Sequence, residues 1–314
     1  MGNQHSKKSK RRYFKSSVSS TSSDEHLSSS EDLIFRYVSG RKFHRDIPNI
    51  FPVDETEMIK SEKNQAIARL VWQGNFSSPI EDRLKAGGLK ILDVGCGPGT
   101  WIIEMAKTYP LCTFIGVDIV YSLRELPENV KFIEANILHG IPIASGEFDF
   151  VVMHFLNGCF IRRQWESIII KEVARVMKPG AWFEWMECDI TLENQGEVTK
   201  ILSQALVSGI KSQGVNPWIF AEIPRMLANS GIFMNISIGK RLTIYSSAAG
   251  KSGELSKENF INTFHTLKKQ TMEFMSITSH EYDRLLNKAL GEIEMYQTGS
   301  NYYRFCAQRN DDNE

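Results

Sequence analysis

The chain has 314 residues, of which 42% are hydrophobic and 11% aromatic, and its 37 basic side chains balance 37 acidic ones. This composition is typical of a globular protein with a sizeable core, and no apolar run approaches the roughly 18 residues that a membrane-spanning helix needs. The five scattered cysteines contain no Cys-x-x-Cys pair and the seven histidines show no metal-ligand spacing, which argues against a disulfide scaffold and a metal site and favours a reducing, cytoplasmic compartment.

The start of the chain differs in composition from the rest. Eleven of the first 30 residues are serine, and residues 1–15 contain six basic side chains and no acidic one. Such a segment buries too little apolar surface to offset the entropy of ordering, so we predict a disordered tail over 1–34. It lacks the apolar region of a secretory signal. The acidic excess left in the remaining chain argues against a nucleic-acid-binding protein.

The tail begins with a lipidation motif. Met1-Gly2-Asn3-Gln4-His5-Ser6 matches the N-myristoylation pattern Met-Gly-x-x-x-[Ser/Thr], with Gly2 as the acyl acceptor. One myristoyl chain gives only marginal membrane binding, and the adjacent basic cluster would add attraction to an anionic leaflet. The motif therefore predicts peripheral membrane contact through the tail. A solvated basic tail and a nuclear-import signal are the alternatives.

Acylation of Gly2 is expected to add the mass of one myristoyl group to the protein purified from its native host, because Gly2 lies in the N-myristoylation motif. Intact-mass spectrometry measures this addition, with Gly2→Ala as the unacylated control. A wild-type mass without the acyl group would end the hypothesis.

The next segment, residues 35–88, is predicted to form a lid with a partly extended start. Apolar residues recur among charged ones from Glu55 to Gln73, which is typical of an amphipathic helix. A second helix is predicted over Pro79–Lys85 and is closed by Gly87-Gly88.

From Leu89 onward, short apolar runs alternate with segments of helical periodicity. The predicted strands are Leu89–Val94, Thr113–Val117, Val130–Glu134, Phe148–Met153, Ala181–Met186, Ile232–Ile238 and Tyr302–Ala307. The predicted helices are Thr100–Lys107, Trp165–Met177 with a stop at Lys178-Pro179-Gly180, Glu197–Lys211, Trp218–Ser230, Lys257–Met275 and Ser279–Tyr296. Such alternation implies parallel pairing with right-handed crossovers. The predicted fold is α/β: a doubly wound, mostly parallel, Rossmann-like sheet of seven strands with helices on both faces.

A glycine-rich turn follows the first of these strands. It reads Asp93-Val94-Gly95-Cys96-Gly97-Pro98-Gly99, and it allows a ligand to approach the backbone because no Cβ intervenes. Pro98 has no N–H group and Asp93 adds a negative charge, so the turn is poorly suited to a pyrophosphate. A ligand with an amino group and no phosphate fits better.

Polar side chains also end the next two strands. Asp118 lies 19 residues after Gly99, near the spacing of about 20 expected for an acid that binds ribose hydroxyls. Asn136 follows the third strand at the same edge of the sheet, where its amide could bind an adenine edge. The sequence therefore predicts a nucleoside site at this edge.

Five segments together resemble the successive motifs of class I S-adenosylmethionine-dependent methyltransferases: Leu92–Gly99, Gly116-Val117-Asp118, Phe132–Asn136, Phe148–Val152 and Lys178-Pro179-Gly180. A finer similarity, in Phe51–Glu55, Phe155-Leu156 and Ser279–Leu290, is to fungal methyltransferases that resemble secondary-metabolism regulators.

The resemblance implies a methyltransferase domain over residues 89–310, with a helical insertion at about 195–296. It implies S-adenosyl-L-methionine as the cofactor, with the glycine turn holding the methionine part, Asp118 the ribose and Asn136 the adenine. The adenine position is more often Asp in the family, and Asn keeps both a donor and an acceptor. The implied cofactor-binding residues are Asp93, Gly95, Cys96, Gly97, Gly99, Asp118, Ile119, Asn136 and Ile137.

The implied reaction is SN2 methyl transfer to an unidentified acceptor, either a small molecule or a protein. The acceptor is expected to enter over His154–Ile161 and Glu187–Thr191. His154 is a candidate general base, or else a structural histidine. Two other functions remain open: a cofactor-binding regulatory partner without turnover of its own, and a nucleotide-sugar or NAD-dependent enzyme on a related sheet.

Overall fold

The computed structural model describes residues 34–38, 40–46, 50–120 and 125–311. Gly2 and almost all of the predicted tail lie outside these residues, so the disorder and acylation of the tail stay predictions. No helix in the described part of the chain is both long and apolar enough to cross a membrane.

Strands and helices alternate through most of these ranges. The strands are β1 (Phe35–Val38), β2 (Arg41–His44), β3 (Lys90–Val94), β4 (Thr113–Asp118), β5 (Val130–Glu134), β6 (Phe148–His154), β7 (Met177–Glu193), β8 (Phe233–Ile244) and β9 (Gly299–Arg309). The α-helices are α1 (Glu55–Trp72), α2 (Glu81–Ala86), α3 (Thr100–Thr108), α4 (Arg162–Gln164), α5 (Ile170–Val176), α6 (Glu197–Ser212), α7 (Ile223–Asn229), α8 (Gly250–Thr266), α9 (Lys268–Met275) and α10 (Ser279–Tyr296). A π-helical turn, Trp165–Ile169, joins α4 to α5.

Seven strands form one sheet in the order β5-β4-β3-β6-β7-β9-β8. The first five run parallel, and β9 is antiparallel to both β7 and β8. The direction of winding reverses between β3 and β6, which leaves a crevice at the carboxyl ends of these strands. The predicted doubly wound, mostly parallel, seven-stranded sheet is confirmed.

Helices cover both faces of the sheet because successive strand residues point to opposite sides. In β3, Ile91 packs in a cluster with Trp101 of α3, whereas Leu92 packs in another cluster with Val173 of α5. All seven residues of β6 are buried. Burial on both faces explains the near-continuous apolar run that marks this strand in the sequence.

A third apolar cluster lies outside the sheet layers. It joins α6, α8, α9 and α10 around Leu206, Phe260 and Tyr282, and it includes Leu192 near the end of β7. These helices fall within the predicted helical insertion at about 195–296. The same range also contains β8, which belongs to the main sheet.

Helix α1 is fixed to the rest of the molecule at both ends. Before its first turn, Asp54 accepts hydrogen bonds from Arg41 Nε and Nη2 at 2.6 and 2.9 Å. After its last turn, Glu184 Oε2 accepts from the backbone N–H groups of Ser77 and Ser78, both at 2.8 Å. Arg304 binds Gly74 O at 2.8 Å. These contacts hold α1 against the carboxyl end of the sheet.

The boundary at Lys178-Pro179-Gly180 was predicted incorrectly. The helix ends at Val176 and β7 begins at Met177, so these three residues lie inside the strand rather than before it. Pro179 has no N–H to donate to β6 and Gly180 has a φ of 71°, and the register of β7 against β6 shifts at this point.

Two further predicted boundaries were wrong. β8 continues to Ile244 rather than Ile238, because its backbone pairs with β9 as far as Gly299 despite the polar residues in between. The single helix predicted over Lys257–Met275 is divided into α8 and α9, since Leu267 leaves the helical conformation at φ −96° and ψ 10°.

Candidate active site

A cavity of about 180 Å³ lies at the carboxyl ends of β3, β4 and β6, in the crevice described above. Helix α1 and residues just before it cover one side, through Phe51, Glu57 and Gln65. We call it the first cavity. Of the nine residues predicted to bind cofactor, eight line it: Asp93, Gly95, Cys96, Gly97, Asp118, Ile119, Asn136 and Ile137.

The glycine turn adopts a left-handed conformation at Gly95, Gly97 and Gly99, with φ of 72°, 51° and 73°. A Cβ at Gly95 would lie 2.7 Å from Leu156 Cδ2, whereas a Cβ at Gly97 would meet no heavy atom within 4 Å. The backbone at Gly97 therefore borders open space that a ligand can enter. Gly99 caps the start of α3 and is not among the residues that line the cavity.

Asp118 ties the glycine turn to the end of β4. Its Oδ2 accepts a hydrogen bond from Gly97 N at 2.8 Å, and its Oδ1 accepts one from Val120 N at 3.3 Å. Burial raises the pKa of Asp118 above its ordinary value, against the lowering effect of these N–H groups. The carboxylate is thus held in place at the cavity wall, where it can also accept hydrogen bonds from vicinal hydroxyls.

Asp93 is a buried carboxyl group that is 2% exposed. Among the described residues it has no charged partner, and its Oδ1 has no hydrogen-bond partner. Burial, and secondarily the charge of Asp118, raises the pKa of Asp93 to about 8. A buried carboxylate without compensation is costly. This arrangement fits a ligand that brings a cationic group to Asp93.

Asn136 presents an unused donor to the same cavity. Its Oδ1 accepts from Leu138 N at 3.0 Å, which fixes the orientation of the amide. Its Nδ2 is buried and has no hydrogen-bond partner in the part of the chain that the structure describes. A ring nitrogen of a purine can accept a hydrogen bond from such a group. The buried unpaired oxygen, the unpaired N–H and the open space at Gly97 together fit an adenosyl compound with a cationic end.

His154 ends β6 and also lines the first cavity. Its ring lies edge-on to Trp101, with centroids 5.3 Å apart, and its Nε2 is buried without a partner. Burial, and secondarily the charge of Arg304, lowers the pKa of His154 to about 3. The imidazole is therefore neutral and a weak base at physiological pH, while the role predicted for it stays a prediction.

A second cavity of about the same volume adjoins the first, and its walls are mostly apolar and aromatic. The two cavities share Phe51, Glu57, Ser61 and Phe155. Phe155 has a φ of 56°, a strained value for a bulky residue, and such strain is common at functional sites. The predicted acceptor segments reach this cavity through Asn157, Gly158 and Glu187 to Ile190.

The sequence analysis did not identify Phe51, Glu57, Ser61 or Phe155 as individual site residues. Glu57 lies with Lys60 and Gln65 on the buried face of α1, where apolar residues are the rule, so the charge of Glu57 gave no signal of its burial in the sequence. Among the described residues, no group of three or more His, Cys, Asp or Glu side chains is placed to hold a metal ion.

Comparison with known proteins gives matches to methyltransferases. Residues 91–180 match a family model described as a methyltransferase domain. The secondary metabolism regulator laeA of Coprinopsis cinerea is 29% identical over 143 residues, covering 44% of this chain and 35% of that protein. Methyltransferase str2 of Strobilurus tenacellus is 25% identical over 185 residues, covering 55% of this chain and 62% of that protein. The chain thus spans less than two thirds of the length of either relative.

Among solved structures, a SAM dependent methyltransferase from Archaeoglobus fulgidus is 14% identical, with a TM-score of 0.47 over 82% of this chain and 100% of that one. The family match lies on the strands and turns that build the first cavity, from β3 to the start of β7. Residues 91–180 are therefore identified as a methyltransferase domain, in a chain that is similar over about half of its length to fungal secondary-metabolism regulators.

Proposed function

We propose that this protein binds S-adenosylmethionine in the first cavity and transfers its methyl group to an acceptor. The observation that carries the proposal is the buried, unpaired carboxyl group of Asp93, which the ammonium group of the methionine part would neutralise. Asp118 would accept hydrogen bonds from the ribose hydroxyls, and Asn136 Nδ2 would donate one to the adenine ring.

Bound S-adenosylmethionine supplies a methyl group that its sulfonium already activates. The work left to the protein is orientation, because holding the reacting atoms in line removes roughly 7–11 kcal/mol of entropic and solvent cost at best. The hydrogen bond from Gly97 N to Asp118 fixes the glycine turn, and α1 covers one side of the cavity.

A regulatory protein that binds the cofactor without turnover is the second candidate. It is supported by the similarity to proteins named as secondary metabolism regulators. A dinucleotide enzyme is less well supported, because Pro98 removes an N–H group from the turn that would bind a pyrophosphate.

Transfer of a labelled methyl group into a fractionated lysate of the source organism separates these functions. We expect wild-type protein with labelled S-adenosylmethionine to mark one fraction, and Asp118→Ala to mark none. Tight cofactor binding with no label in any fraction would favour the regulatory protein. Retention of NAD in place of S-adenosylmethionine on purification would overturn the proposal.

A further inference from the structure

The second cavity lies next to the proposed cofactor site, where a methyl acceptor is expected, and it shares four lining residues with that site. Phe51, Glu57, Ser61 and Phe155 face both cavities. The ring of Phe155 packs edge-on against Tyr302, with centroids 6.2 Å apart, and Phe155 N donates to Met186 O at 2.9 Å. These contacts hold the strained backbone of Phe155 at the boundary between the cavities.

The walls of the second cavity are suited to an apolar body. The lining side chains come from α1, β7, α6, α8 and β9 and from the segments before α1 and after β6, which are far apart in sequence. The apolar and aromatic wall residues are Ile50, Phe51, Phe155, Ile190, Leu192, Leu206, Ile210, Val215, Tyr245, Phe260, Phe264 and Tyr302. Burial of a mostly apolar ligand against them is favourable at about 25 cal/mol per Å².

The buried polar atoms that have no hydrogen-bond partner in this cavity are of one kind, side-chain oxygens. Among the described lining residues, the buried side-chain atoms without a hydrogen-bond partner are Glu57 Oε2, Asn157 Oδ1 and Asn259 Oδ1. The Asn157 amide is oriented by its Nδ2, which donates to Pro217 O. All three unpaired atoms are acceptors, so a complementary ligand must bring O–H or N–H donors.

One cationic group and one hydroxyl group of this cavity are already engaged. Lys60 forms an ion pair with Glu57 Oε1 and lies 3.8 Å above the ring of Phe51. Tyr245 donates its hydroxyl hydrogen to Ser300 Oγ at 2.6 Å. Glu57 thus has one oxygen fixed by Lys60, while the other is buried between the two cavities and free to accept a proton.

We propose that the second cavity binds the methyl acceptor, an inference that rests on the methyl transfer proposed above. The acceptor is a small and largely apolar molecule with a hydroxyl group that donates its hydrogen to Glu57. Glu57 takes the hydroxyl proton as the new oxygen–carbon bond forms and the carbon–sulfur bond breaks, with the electron pair of the broken bond left on sulfur. The products are a methyl ether and S-adenosylhomocysteine. Burial also raises the pKa of Glu57, which makes its carboxylate a better base.

Two matched pairs of probes test the proposal: phenol with anisole, and 2-naphthol with its methyl ether. Each pair differs only in the O–H donor. Calorimetric titration of the full chain saturated with S-adenosylhomocysteine should show that one hydroxyl compound binds roughly tenfold or more tightly than its ether. Glu57→Gln should reduce that ratio severalfold, whereas Glu62→Gln, at an exposed glutamate of the same helix, should leave it unchanged.

A second variant tests the location independently. Thr263→Phe would fill part of the second cavity from α8 and should abolish binding of both probes without weakening S-adenosylhomocysteine. Thr266→Phe, three residues later and outside the cavity lining, is its control. Equal affinity for alcohol and ether, no binding of either pair, or labelled methyl found only on protein would overturn this inference. Failure of S-adenosylhomocysteine to bind wild-type protein would instead contradict the proposed function.

Discussion

Replacing Asp118 by alanine should weaken binding of S-adenosylhomocysteine roughly a hundredfold or more. The variant loses two hydrogen bonds from ribose hydroxyls to a charged group, each worth about 1.5–3 kcal/mol, and it releases Gly97 N from the carboxylate that orients the glycine turn. Isothermal calorimetry measures the affinity, and thermal unfolding without ligand shows whether the variant is folded.

Glu134→Ala is the matched control for Asp118→Ala. Glu134 occupies the same position in the register on the neighbouring strand β5, carries the same charge and is exposed outside the cavity lining. Its loss should change the affinity less than threefold. The assignment of Asp118 to the ribose is wrong if both variants bind equally well, or if both lose the same affinity.

Asp93→Asn should have opposite effects on stability and on binding. The folded protein holds the Asp93 proton up to about pH 8, whereas the unfolded chain releases it near the ordinary pKa of 3.8. The free energy of unfolding of the ligand-free wild type therefore falls as pH rises from about 4 to 8. Asparagine removes this contribution, so the variant should be more stable near pH 8 by about 1–3 kcal/mol and should bind S-adenosylhomocysteine more weakly.

Denaturant titrations at pH 5 and pH 8 measure the stability of the Asp93 variant, with Asp149→Asn as the contrast. Asp149 is also buried, but it accepts hydrogen bonds from Lys90 N at 3.0 Å and Lys178 Nζ at 2.7 Å. Loss of these bonds should destabilise the fold. If Asp93→Asn is destabilised at pH 8, as Asp149→Asn should be, then Asp93 has a structural role and is not a ligand-binding residue.

The strands around the first cavity were predictable because each is a short, mostly apolar run, and β6 is buried at all seven residues. Val130–Glu134 has the bounds predicted for it, and β3, β4 and β6 differ from prediction by one residue at one end each. The glycine turn and the polar residues after each strand then fall at one edge by topology alone. Local pattern was thus sufficient for the fold and, together with the family resemblance, for eight residues that line the first cavity.

The second cavity was not predictable from local pattern. Its walls join segments near residues 50–64, 187–217 and 245–264, which meet only after the helices of the third cluster pack. The charged residues Glu57 and Lys60 predict a solvated helix face. In the structure both are buried, where they form an ion pair with each other and Lys60 lies over the ring of Phe51. The left-handed conformation of Phe155 has no glycine to indicate it in the sequence.

The position of β9 has a consequence for how the chain is made. β9 follows β8 in sequence but fills the place between β7 and β8, so β8 cannot join the sheet until β9 has left the ribosome. More than a hundred residues separate the end of β7 from the end of β9, or on the order of ten seconds of translation. Throughout that interval the edge of β7 is unpaired, and a chaperone that shields it would raise the yield of native protein.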